Sequence, residues 1–141
     1  MSEVVIDASV VVKWFVREEW SEEAEALRDD YAAGSIDLAS PAIMPFEVLN
    51  ALKYSGAFGE DELVEASEIL EDLQVTLYEL KGDYARETVK LAMRKGITIY
   101  DASYVALAIV RDCVLWTADE KLLRKVADLG RVFHIREYAR R

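Results

Sequence analysis

Four acids stand out by their surroundings: Asp7, Glu47, Asp101 and Asp119. Asp7 ends the apolar, β-branched run Val4-Val5-Ile6, and Asp119 follows a second apolar run, Val114-Leu115-Trp116. Asp101 falls in the first turn of an alanine-rich segment, while Glu47 sits among Phe46, Val48 and Leu49. Carboxylates with water suit hard divalent cations such as Mg2+ and Mn2+, which keep several waters and bind phosphate oxygens. Ions of this kind make water more acidic, so a hydrolytic site built on them needs no histidine base. His134, the sole histidine, reads as a surface or strand-end residue rather than a catalyst. Ser9 and Thr117 each lie two residues from an acid, with hydroxyls able to orient a carboxylate or a phosphate or simply to cap locally. Asn50 shares a helix face with Glu47, three residues before it.

The elements that must position these groups alternate. Val4 to Ile6 reads as a buried strand, followed by a short helix from Ala8 to Phe15. Ser21 is expected to cap a helix from Glu22 to Ala33 that Gly34 ends. After a short strand from Ile36 to Ala39, Ser40-Pro41 opens a helix through Glu47 and Asn50 to Tyr54, with Pro45 blurring its start. A helix from Glu60 to Leu73, a strand from Val75 to Tyr78 and a helix from Tyr84 to Lys95 come next. Thr98 then opens a helix to Val110, Val114 to Trp116 forms a strand, Thr117 or Asp119 caps a helix to Ala127, and Val132 to Ile135 is the last strand. Short apolar strands alternating with helices specify an α/β fold with a mainly parallel sheet covered on both faces. In such a sheet ligands bind outside the carboxyl ends of the strands, where Asp7 and Asp119 project. Each acid also has a structural reading: Thr98 with Asp101 resembles a capping box, Asp119 is a helix cap, and Asp7 can satisfy amides in the turn that follows it.

Composition bounds the rest. The 141 residues, 52% of them hydrophobic, form the expected single domain over 1–141, without repeats or linkers. No basic leader precedes an apolar run and no stretch has bilayer-spanning length, so a soluble, cytoplasmic protein with no membrane association is expected. Cys113 stands alone, which excludes an internal disulfide and a thiolate zinc site. A net charge of −10 opposes a nucleic-acid partner at first sight. Yet the acids crowd Glu18 to Asp30 and Glu60 to Asp72, leaving Lys121, Arg124, Lys125, Arg131, Arg136, Arg140 and Arg141 as a basic C-terminal stretch. Trp14, Trp20 and Trp116 are able to stack on bases but fit core or interface roles better.

Four segments taken in order resemble the acidic motifs of the PIN-domain ribonucleases: Val5 to Ser9, Pro45 to Leu52, Asp101 to Ala108 and Leu115 to Leu122. The likeness spans essentially the whole chain and is nearest to the short VapC toxins, which pair with VapB antitoxins. It implies a sandwich of helices about a short twisted parallel sheet, with Asp7, Glu47, Asp101 and Asp119 around one or two Mg2+ or Mn2+ ions. Single-stranded RNA is the implied substrate, a VapB-type antitoxin the implied partner and a homodimer the implied assembly. A phosphatase of the haloacid-dehalogenase type needs a second Asp two positions after the first, where this chain has Ser9. The remaining alternative is a non-catalytic PIN-like module that binds a protein or RNA partner, although such a scaffold has little use for four mutually repelling carboxylates.

Overall fold

Val5 and Ile6 are wholly inaccessible to solvent, as the apolar run around them requires, and they form the centre of the sheet. The computed structural model describes residues 2–138, so Arg140 and Arg141 of the basic stretch lie outside the described residues. In chain order the elements are β1 (Ser2–Ile6), α1 (Ala8–Val11) running into a 3-10 turn (Val12–Trp14), α2 (Ser21–Ala32), β2 (Ile36–Pro41), α3 (Met44–Tyr54), α4 (Glu60–Asp72) and β3 (Thr76–Tyr78). There follow α5 (Gly82–Lys95), α6 (Ile99–Val110), β4 (Leu115–Thr117), α7 (Glu120–Val126) and β5 (Val132–His134). Every strand pairing is parallel, in the order β3-β2-β1-β4-β5.

That order carries a functional consequence. The chain leaves β1 toward β2 and β3, then returns across the sheet to β4 and β5, so the strand order reverses between β1 and β4. Loops at the carboxyl ends of such a pair diverge and leave a crevice. The register pairs Ile6 with Trp116, and the Asp7 amide donates to the Trp116 carbonyl at 3.0 Å, which brings the residues after β1 and β4 side by side. Helix α6 packs across β1, β2 and β4. Its residues from Ala102 to Ala108 are all buried, and Ala102, Ala106 and Ala108 let the helix lie close to the sheet. Helix α5 covers α6, ending at Gly96 with φ of 64°, a left-handed conformation that glycine adopts without a Cβ clash.

Two expected boundaries are corrected. Ser21 does not cap α2: its hydroxyl accepts from the Glu18 amide and donates to the Val16 carbonyl, closing the preceding loop. The cap position belongs to Trp20, held at φ of 69° with its ring edge-on to His134 at 6.0 Å. Ser40 and Pro41 belong to β2 rather than to a helix start. The Ser40 hydroxyl donates to the Ile6 carbonyl at 2.8 Å, and Pro41 falls beyond the last β1–β2 pair, Val5 with Ala39, where its missing N–H removes no bond to β1. Helix α3 therefore begins at Met44 and takes Pro45 into its first turn, where proline is tolerated. Among the described residues no helix is long and apolar enough to cross a membrane.

Candidate active site

At the crevice between β1 and β4, Asp7 is 8% exposed. Its Oδ2 accepts hydrogen bonds from the Ser9 hydroxyl at 2.6 Å and the Thr117 hydroxyl at 2.7 Å. It makes no side-chain bond to the amides of α1, which removes the capping explanation for this acid. Burial raises its pKa from 3.8 to about 6; the two hydroxyls pull it down, and the charges of Glu47 and Asp101 push it further up. Ser9 and Thr117 are themselves fixed, since the Ala118 amide donates to the Ser9 hydroxyl and the Asp119 amide to that of Thr117. The pair of hydroxyls thus links the start of α1 to the end of β4 and the two residues that follow it.

Glu47 enters from the first turn of α3, facing the sheet ends from a separate element. Its Oε1 accepts a hydrogen bond from the Tyr104 hydroxyl at 2.5 Å. Tyr104 is 1% exposed, and its pKa is raised far above the ordinary phenol value, first by burial and then by Asp7 and Glu47, so the phenol remains a donor. Asn50 is exposed and lines, with Glu47, Ile43, Phe46 and Tyr100, an open cavity of about 350 Å³. The expected face shared by Glu47 and Asn50 is present, whereas no hydrogen bond between them is found among the described residues.

Asp101 and Asp119 combine structural and electrostatic roles. Thr98 caps α6 by accepting from the Asp101 amide at 3.0 Å. The Asp101 carboxyl is raised above its usual pKa by burial and by Asp119, with Lys125 and the Thr98 hydroxyl opposing. Asp119 caps α7, its Oδ1 accepting from the Leu122 amide at 3.1 Å, so the helix-cap reading holds for this acid even as it faces Asp101. The four acids therefore form an electrostatic chain in which Asp7 senses Glu47 and Asp101, and Asp101 senses Asp119.

Other candidates resolve into structure. His134 ends β5 but is buried, with Nδ1 accepting from the Arg136 amide and its pKa lowered by burial, so the surface reading is corrected. Arg131 pairs with Asp112 and Arg136 with Glu120, which leaves the C-terminal stretch less open to phosphate than its charge suggests. The Trp14 indole donates to the Ala24 carbonyl, and Trp116 packs against Phe133 and Tyr138, both in the manner of core residues. Cys113 is a free, half-buried thiol whose pKa burial raises.

The donor set fits a hard divalent cation in type and charge. Oxygen ligands from carboxylates match such ions, and the carboxyls of Asp7 and Asp101 are raised in pKa first by burial and then by neighbouring carboxylates, a cost of the kind that a bound cation would offset. Among the described residues no three of the acids are drawn together tightly enough to hold an ion between them as the side chains stand. Tyr104 is the participant that the sequence reading missed. Its signal was available: a phenol inside an otherwise apolar helix, one turn after Asp101, must find a buried acceptor.

Comparison with known proteins adds an independent line. A family model described as PIN domain matches residues 4–129. The chain is 38% identical over 130 residues to Ribonuclease VapC3 of Pyrobaculum aerophilum, covering 86% of this chain and 93% of that protein. Among solved structures it is similar to a Pyrobaculum aerophilum protein, with a TM-score of 0.66 and 25% identity over 96% of this chain and 90% of the other. It also resembles DNA-bound VapBC from Salmonella typhimurium, with a TM-score of 0.67 over 96% of this chain and 99% of the other; at 15% identity that likeness is one of fold.

Proposed function

Because the chain belongs to the PIN-domain family, we propose that it is a metal-dependent endoribonuclease that hydrolyses phosphodiester bonds of single-stranded RNA in the cytoplasm, as the toxin of a toxin–antitoxin pair. The observation that carries this reading is Asp7, a desolvated carboxyl at the reversal of strand order, electrostatically coupled to Glu47 and Asp101. Asp7, Glu47, Asp101 and Asp119 would hold one or two Mg2+ or Mn2+ ions. A bound ion of this kind supplies positive charge against the phosphate and makes water more acidic.

The chain's own residues supply position. Ser9 and Thr117 fix the Asp7 carboxylate by two short hydrogen bonds, so its orientation is set before anything binds. Asp119 is tied to its helix through the Leu122 amide, and Asp101 to the first turn of α6. Asn50, on the open wall beside Glu47, offers an amide that can donate to a phosphate or accept from a base or ribose. The likeness to a VapC ribonuclease and to a DNA-bound VapBC assembly supports the RNA substrate and a VapB-type partner. A homodimer is part of the same reading.

The purified protein, freed of any bound inhibitor, should cleave single-stranded RNA when Mg2+ or Mn2+ is supplied and stop when EDTA is added. Cleavage indifferent to excess EDTA would overturn the metal mechanism. No cleavage of any RNA with either ion, together with no Mn2+ binding, would leave the interaction-module reading in its place.

A further inference from the structure

We propose that Tyr104 is a positioning residue of the site, its hydroxyl holding the Glu47 carboxylate where a divalent cation is bound. The inference rests on the metal-dependent reading above and concerns how this chain prepares its glutamate. Among the described residues the Tyr104 hydroxyl is the one hydrogen-bond donor to Glu47. Asp7, by contrast, is held by two hydroxyls. Glutamate has one more rotatable bond than aspartate, so without an anchor its carboxylate samples more positions and binding an ion must restrict them.

The placement of the phenol supports a positional role. Tyr104 lies on α6 three residues after Asp101, hence on the same helix face, and is almost wholly buried between that helix and the rest of the core. Its bond to Glu47 spans 57 positions of sequence and ties the middle of α6 to the first turn of α3. One rigid helix thereby carries one of the four acids and the anchor of another. The hydroxyl engages Oε1, and among the described residues Oε2 has no donor, so the carboxylate is oriented by one oxygen while the other stays available. A phenylalanine would fill the same core volume with no polar atom to satisfy; the buried hydroxyl is explained by what it holds.

Mn2+ binding to the full chain without RNA, measured by calorimetry, tests this through a double-mutant cycle of Tyr104→Phe and Glu47→Gln. Removing the partner that orients a metal ligand weakens affinity by roughly 10- to 100-fold, and that loss is expected for Tyr104→Phe. In the Glu47→Gln background the same change should alter affinity less than about twofold, because the group it acts through is gone. Thermal melts in EDTA establish that each variant is folded; if Tyr104→Phe is not, Tyr104→Met, which fills core space without a donor, replaces it. Equal Mn2+ affinity of wild type and Tyr104→Phe overturns the inference, as does an equal loss in both backgrounds, which marks a general packing effect. Wild-type protein that binds no Mn2+ sinks the metal-dependent reading itself, a result distinct from either.

Discussion

Replacing Asp7 by Asn should make the metal-free protein more stable at neutral pH and less so, relative to wild type, in acid. In the folded chain the Asp7 carboxyl has a pKa raised from 3.8 to about 6, with burial as the leading cause. Below 3.8 both folded and unfolded chains hold the proton and the site costs nothing. As pH rises the unfolded chain ionises first, so the stability present at low pH is lost progressively and is gone once pH passes the folded value. At about 1.4 kcal/mol per tenfold change in proton affinity, the loss above pH 6 amounts to about 3 kcal/mol. Asparagine has nearly the same shape, does not titrate, and can accept both the Ser9 and Thr117 hydroxyls on its single carbonyl oxygen. For 141 residues the unfolding entropy near the melting point is about 0.3 kcal/mol per degree, so the full effect corresponds to a rise of about 10 °C. The assay is a pair of thermal melts in EDTA at pH 8 and pH 4. A gain at pH 8 that closes at pH 4 is the expected result. An Asn variant no more stable than wild type at pH 8, or a difference that does not change with pH, would refute the desolvation argument.

The other acids and hydroxyls make further, separable predictions. Asp101→Asn should also raise the melting temperature in EDTA at neutral pH, since burial and Asp119 raise that carboxyl as well, while abolishing RNA cleavage; lower stability with cleavage intact would make Asp101 a purely structural residue. Thr117→Val, isosteric but without the hydroxyl that joins Asp7 to the Asp119 amide, should lower stability by roughly 1–3 kcal/mol in denaturant titrations and reduce cleavage at least tenfold. Thr98→Ala should cost about 1 kcal/mol through the lost cap of α6, read in the same titrations. Added Mn2+ should raise the wild-type melting temperature by an amount that grows with concentration, about 2.7 kcal/mol at one hundred times the dissociation constant, and should do so clearly less for Asp101→Asn.

What could be read from the sequence depended on whether a signal was local. The β1 and β4 runs are apolar on both faces, and that pattern belongs to parallel strands under helices wherever it occurs, so the sheet and the acids at its ends were legible. Ser21 misled because its hydroxyl closes the loop before α2, with the Glu18 amide and the Val16 carbonyl, instead of capping the helix, and Ser40-Pro41 misled because a distant partner holds Ser40 in a strand. Ser40 is a strand residue because the Ile6 carbonyl, 34 positions away, accepts its hydroxyl, and no window of sequence around Ser40 contains that acceptor. His134 stands at the strand end as read but is buried rather than at the surface, with Trp20 from another part of the chain edge-on to its ring.

The acids themselves show why a site resists reading one residue at a time. Asp119 is a helix cap by geometry and a neighbour of Asp101 by charge, and neither role excludes the other. A capped acid is cheap to keep at a site, because the bond that fixes its direction also stabilises its helix. Asp7 is the opposite case: it contributes no cap and is buried at a cost. Two hydroxyls hold it, Ser9 from α1 and Thr117 from the end of β4, and only the first is near it in sequence. Asymmetry of this kind separates the two explanations for an acid at a strand end. Where the carboxylate satisfies local amides, folding alone accounts for it; where it is desolvated, raised in pKa and held by hydroxyls instead, stability opposes it, and a bound cation would offset the cost. By that criterion Asp7 is the acid for which folding alone accounts least, and melts of its Asn variant measure the cost directly.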